Sequence, residues 1–121
     1  MLYLYGETTD NDVSTMLRAI ELANSGVMKS IGISGADAAN GYAGFDCTVR
    51  ILKDLGWKSE IPIVKLGSGG NANTLTEARA LVAHARTIGG DIGIIAPAFH
   101  LVRAFMTTVT AIGDDPMRMY A

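Results

Sequence analysis

Cysteine is almost missing from this chain. Cys47 stands alone, so an intrachain disulfide and a thiolate metal cluster are both excluded, and Cys47 reads as a structural thiol in a reducing compartment. Basic clusters are missing too. The ten Lys and Arg residues are scattered from Arg18 to Arg118 under a net charge of −2, which argues against nucleic acid or an anionic membrane as the main partner. No apolar run approaches the roughly 20 residues of a membrane span. The start Met1-Leu2-Tyr3-Leu4-Tyr5 lacks the basic region and full apolar core of a signal peptide, so the expectation is a cytoplasmic protein. Several catalytic signatures are also absent. No Lys-Ser/Thr pair follows the glycines of a phosphate loop, and no Gly-x-Gly-x-x-Gly occurs. Without a Gly-x-Ser-x-Gly elbow, Ser34 and His100 do not read as an α/β-hydrolase pair.

What is present is apolar sequence in regular blocks. The 121 residues are 49% hydrophobic, enough for one domain with its own core. Short apolar runs over 2–5, 30–34, 61–64, 92–96 and 117–120 read as strands. Between them lie helical patterns: Val13, Met16, Leu17 and Ile20 before Gly26, then Val49, Ile51, Leu52 and Leu55 before Gly56. A third helix runs over 75–87, and Leu101, Phe105, Val109 and Ile112 mark a fourth. The run over 92–96 reads as the most clearly buried strand. Strand and helix alternate along the whole chain, the pattern of a parallel sheet with helices on its faces. The expected fold is a single α/β domain, a three-layer α/β/α sandwich with about five mainly parallel strands. The last strand leaves a sheet edge that a partner chain would cover, so a homo-oligomer is one expectation.

Two polar motifs stand where apolar runs end and helices begin, the place where open α/β sheets bind ligands. The first is Gly67-Ser68-Gly69-Gly70-Asn71-Ala72-Asn73-Thr74-Leu75-Thr76-Glu77. Its glycines permit positive φ and close approach to a ligand, and successive backbone amides before a helix N-terminus suit an anion. Thr74 and Glu77 have the spacing of a capping box, while the Asn73 amide offers a donor and an acceptor at the pocket edge. The second is Pro97-Ala98-Phe99-His100-Leu101-Val102-Arg103-Ala104. His100 and Arg103, three apart, share one side of a first helical turn. The imidazole can move a proton near neutral pH, and the guanidinium can fork onto phosphate or carboxylate. Leu101, Val102, Phe105, Met106 and Val109 are expected on the opposite, core-facing side. Trp57 and Tyr42 read as packing residues, and His84 as surface or half-buried. Glu7, Asp10 and Asp37 read as caps and turns before metal ligands.

With these residues in place, the chain resembles the YdcF/SanA/ElyC-like family, also called domain of unknown function family 218. The resemblance rests on Ile33-Ser34-Gly35, Asn73-Thr74-Leu75-Thr76-Glu77 and His100-Leu101-Val102-Arg103-Ala104, with Arg18-Ala19-Ile20-Glu21-Leu22-Ala23 like the family's first helix. It departs at Gly6-Glu7, where the family often has paired glycines, and at Ala96-Pro97-Ala98, where it often has Thr or Ser. The resemblance implies a Rossmann-like fold and an adenosyl-type ligand such as S-adenosylmethionine. It implies a site formed by Ser34, Gly35, Asn73, Thr74, Glu77, His100 and Arg103. Read together, the loop residues Gly69 and Gly70 with Arg103 would hold an anionic, nucleotide-like or phosphate-containing small molecule. His100 and Glu77 would do any chemistry, of transferase or hydrolase type. The alternative is a non-catalytic binding, regulatory or protein-interaction module using the same pocket.

Overall fold

The computed structural model describes residues 1–6, 9–67 and 72–121, with residues 9–11 as backbone alone. Glu7, Ser68, Gly69, Gly70 and Asn71 therefore lie outside the described residues, as does the Asp10 side chain.

Strands β1 (Leu2–Leu4), β2 (Ile31–Ser34), β3 (Ile63–Leu66), β4 (Ile92–Ile95) and β5 (Met119–Tyr120) alternate with helices α1 (Thr9–Asn24), α2 (Phe45–Asp54), α3 (Thr74–Ile88) and α4 (Ala98–Ile112). Every strand pairing is parallel, in the order β3-β2-β1-β4-β5. Alternation along β1 sorts the core into two layers, because successive side chains of a strand point to opposite faces. Leu2 and Leu4 join Ile31, Ile33, Met16, Ala19 and Leu52 on the side of α1 and α2. Tyr3 and Tyr5 join Leu81, Val82, Ile92, Ile94 and Ala104 on the side of α3 and α4. Each fully buried aliphatic side chain, such as Ile31 or Leu81, contributes about 1.5–3 kcal/mol. The result is the expected Rossmann-like three-layer α/β arrangement.

Three local expectations are corrected. The third strand begins at Ile63 and continues through Lys65 to Leu66, two residues later than its apolar run. Pro62 contributes only its carbonyl, which accepts from Ile31 N at 3.0 Å. Because β3 is an edge strand, Lys65 is tolerated there, with its ammonium 5.7 Å from the centre of the Phe45 ring. The most deeply buried strands are β1 and β2, not β4. Gly93 and Ile95 of β4 are only half-buried, since they line an open groove of about 1000 Å³ on the α1 side together with Leu22, Val27 and Tyr120. In α4, Leu101 and Phe105 pack inward as expected, but Val102, Met106 and Val109 are exposed. That helix has two apolar faces beside its polar edge of His100, Arg103 and Thr107, so spacing alone could not choose the buried one. The contact is made instead by the small residues Ala104 and Thr108.

Gly35 holds β2 and β3 together at their carboxyl ends. Its amide donates to Leu66 O at 2.7 Å, and a Cβ built on it would collide with the Gly67 carbonyl oxygen. Gly35→Ala is therefore expected to cost about 1–3 kcal/mol as an overpacking change, seen as a lower urea midpoint at unchanged slope. A midpoint equal to wild type would show that this contact yields freely.

Candidate functional site

The direction of strand succession reverses between β1 and β4. From β1 the chain steps to β2 and β3 through α1 and α2, and then returns through α3 to β4 on the other side of β1. This is the switch point at which open α/β sheets place their ligand crevice. A cleft of about 560 Å³ opens there, within the size range of small-molecule sites. Gly6 follows β1 on its floor, and His100, Arg103 and Thr107 of α4 form one wall. Asn40 and Tyr42, from the loop after β2, face Asn73 and Thr74 at the start of α3.

Arg103 is exposed, whereas His100 is buried at 4% exposure. The imidazole is thus not on the solvent side of the first turn as expected. It stacks on the Tyr5 ring at 5.8 Å between centroids and 28° between planes. Arg103 Nη2 lies 2.9 Å from His100 Nδ1. A guanidinium has only donors, so Nδ1 accepts, and the neutral imidazole then carries its proton on Nε2. Tyr5 in turn donates to Thr108 Oγ1 at 2.8 Å, because that hydroxyl already donates to Ala104 O. Burial pushes the Tyr5 phenol up to about 12, against the opposing effect of its Thr108 hydrogen bond.

The capping box lies one residue earlier than expected. Asn73 is the N-cap of α3, accepting from Leu75 N and Thr76 N at 3.0 Å each. The Thr76 hydroxyl accepts from Asn73 N at 2.9 Å. Thr74 is the first helical residue. Two first-turn amides of α3 are therefore taken by the chain itself. Arg103 supplies the full positive charge of the described cleft.

Glu77 is left out of the capping box and lies on the buried face of α3 beside Ala78, Leu81 and Val82, 5% exposed. Its carboxylate accepts from Tyr3 OH and from Tyr42 OH, both at 2.9 Å. Burial raises the Glu77 carboxyl above its ordinary range, opposed by the hydroxyls of Tyr3 and Tyr42. Burial and the neighbouring Glu77 charge likewise raise Tyr3 far above an ordinary phenol. Glu77 is thus a buried anchor beneath the cleft and does not line it. Ser34 is buried as well, accepting from Ala36 N at 3.2 Å. It borders a separate cavity of about 30 Å³ with Tyr5, Asp12, Thr15 and Tyr42, room for about one or two water molecules.

The structure therefore brings Asn73, Thr74, His100 and Arg103 together around one cleft, and sets Ser34, Gly35 and Glu77 behind it. Gly69 and Gly70 lie outside the described residues. Asp37 caps the turn of residues 38–40, accepting from Ala39 N and Asn40 Nδ2 at 3.1 Å each. Among the described residues, no group of three or more His, Cys, Asp or Glu side chains is placed to hold a metal ion. No described helix is long and apolar enough to cross a membrane. Sequence reasoning missed the tyrosines. Tyr42, read as a packing residue, is a hydrogen-bond donor to Glu77. A phenol in the central strand of a sheet must find a polar partner when buried, and that signal was present in Tyr3 and Tyr5. Comparison with family models, with curated proteins and with solved structures finds no match to this chain.

The raised Glu77 pKa makes stability depend on pH. The folded state keeps the proton to higher pH than the unfolded chain does, whose carboxyl titrates near 4.5. The stability this proton confers is complete below that value and is lost as pH rises through the folded pKa. Glu77→Gln cannot ionise. Its unfolding free energy relative to wild type is therefore expected to climb as pH rises above about 4.5, by no more than about 1.4 kcal/mol per pH unit, and to level off once the folded carboxyl has ionised. Urea denaturation of both proteins across that rise measures the difference. A constant difference would mean that Glu77 titrates alike in both states.

Proposed function

We propose that this protein binds an anionic small molecule, of nucleotide-like or other phosphate-containing type, in the cleft at the switch point. The observation that carries the reading is the exposed Arg103 guanidinium, held by buried His100 at the mouth of a cleft between β1 and β4. A guanidinium fork matches the paired oxygens of phosphate or carboxylate. Asn40, Asn73, Thr74 and Thr107 surround it with groups that donate and accept hydrogen bonds. The resemblance to the YdcF-like family supports an adenosyl-type ligand, S-adenosylmethionine among the candidates. In this reading Arg103 contacts the ligand, His100 positions Arg103, and the Glu77 anchor keeps the Tyr42 loop in place as a wall.

Catalysis, of transferase or hydrolase type, is a second reading, favoured by one observation. Nδ1 of His100 accepts from Arg103, so a ligand that draws Arg103 away would leave that nitrogen able to take a proton.

A melting panel of phosphate, pyrophosphate, nucleotides and S-adenosylmethionine tests the proposal. A compound present at about a hundred times its dissociation constant should stabilise the wild type by about 2.7 kcal/mol, a rise of several degrees at this size. Arg103→Ala, at an exposed position, should melt within a degree or two of wild type without ligand and lose that rise. An equal rise in the variant, or none in wild type, would overturn the assignment of Arg103. Product formed from a compound that raises the melt would favour the second reading, and binding without product the first.

A further inference from the structure

Helix α4 has a second apolar face. Its inner side packs Leu101, Ala104, Phe105 and Ile112 against the sheet. On its outer side Phe99, Val102, Met106 and Val109 are 66%, 73%, 59% and 41% exposed. These four follow one another at steps of three, four and three, the spacing of a seam between two helices. Lys, Asp and Glu are absent from the whole helix, and Arg103 is its one permanent charge. His100, Arg103 and Thr107 keep to the edge of the helix at the cleft, and an apolar stripe as wide as the outer one ordinarily packs against another element.

We infer that α4 forms the interface of a homodimer, packing antiparallel against α4 of a second copy about a two-fold axis near Ala104. Three features select a second copy as the occupant. The first is self-complementarity: across such an axis Phe99 meets Val109 and Val102 meets Met106, so the same four side chains fill both halves of the seam. The second is the charge at the helix ends. The first turn of α4 has no acidic residue and no side-chain cap, and the last turn has no basic residue. Asp114 is exposed just beyond its C-terminus. Antiparallel pairing sets opposite ends of the two helix dipoles side by side and carries Asp114 of each copy toward the uncapped N-terminus of the other. The third is area. The four side chains expose on the order of 450 Å² per copy, so full cover of both would bury about 900 Å², the size of a weak, concentration-dependent dimer. Arg103 borders the seam on the side of the cleft, so the dimer would carry its two ligand sites beside its interface.

Light scattering after size exclusion, over a dilution series, tests this. Wild type should give twice the mass of one chain, falling toward one chain on dilution. Met106→Glu and Val102→Lys should each give a single chain at concentrations where wild type is dimeric. Because both positions are exposed in the single chain, their circular dichroism should match that of wild type. Mixing the two variants should restore the double mass, since antiparallel pairing sets position 102 of one copy against 106 of the other. A wild type of single mass at every concentration would overturn the inference, as would a dimer indifferent to both substitutions. Failure of the mixture to re-pair would overturn the antiparallel register. These outcomes are read without ligand, so they stand or fall separately from the proposed binding site.

Discussion

A carboxylate buried against an apolar sheet is the constraint on which this site is built. An ionised group removed from water is costly unless donors replace its hydration. Glu77 meets this demand with the hydroxyls of Tyr3 from β1 and Tyr42 from the loop after β2. These donors come from separate segments, so satisfying one group fixes their mutual placement. The Tyr42 loop is drawn across toward α3, and Asn40 adds a second link by accepting from Ala72 N at 3.3 Å. Losing a donor would leave part of a buried charge unsatisfied, which costs more than the net contribution of an ordinary hydrogen bond. The cleft wall is thus held by a requirement of the core.

The same strand organises the opposite wall. Tyr3 and Tyr5 lie two apart, so both point toward α3 and α4, with their rings edge to face at 4.8 Å and 77°. Tyr3 reaches α3 through Glu77, and Tyr5 reaches α4 through Thr108. His100 lies against the second ring. Both helices that begin at the cleft are therefore tied to β1 by phenol hydroxyls. Leu2 and Leu4, on the other face, do only apolar packing. One short strand of alternating leucine and tyrosine separates a layer it contacts by apolar packing alone from a layer it ties by hydrogen bonds.

Much of this was legible in the sequence. The alternation of apolar runs with helical patterns identified all five strands and four helices, because each run is short and bounded by glycine or capping residues. The motifs after the third and fourth runs were found because strand ends in such sheets are where ligands bind. What escaped depended on three-dimensional neighbours. Lys65 interrupts the apolar pattern of β3 without ending the strand, because an edge position accepts it. The cap lies at Asn73, with Thr76 as its reciprocal partner, which leaves Glu77 out of the box; its place four residues before Leu81 puts it on the buried face of α3. Spacing could not tell the two faces of α4 apart, since both are apolar. The strand order, and with it the switch point, is a long-range property that no local pattern encodes.

The contrast between His100 and Arg103 bears on what the cleft can do. His100 is held by burial, by the Tyr5 ring and by the guanidinium on Nδ1, so its ring is fixed before any ligand arrives. Arg103 is anchored through that same hydrogen bond while remaining exposed. A rigid base beneath an adaptable cation is well suited to binding, because orienting the guanidinium in advance lowers the conformational cost of capturing an anion. It is less suited to proton transfer, since the lone pair that would accept a proton is already engaged. Chemistry at His100 would require the ligand to break that contact first. A binding role asks only that Arg103 add oxygen partners while remaining supported from below, and on this ground binding is the simpler reading of the geometry.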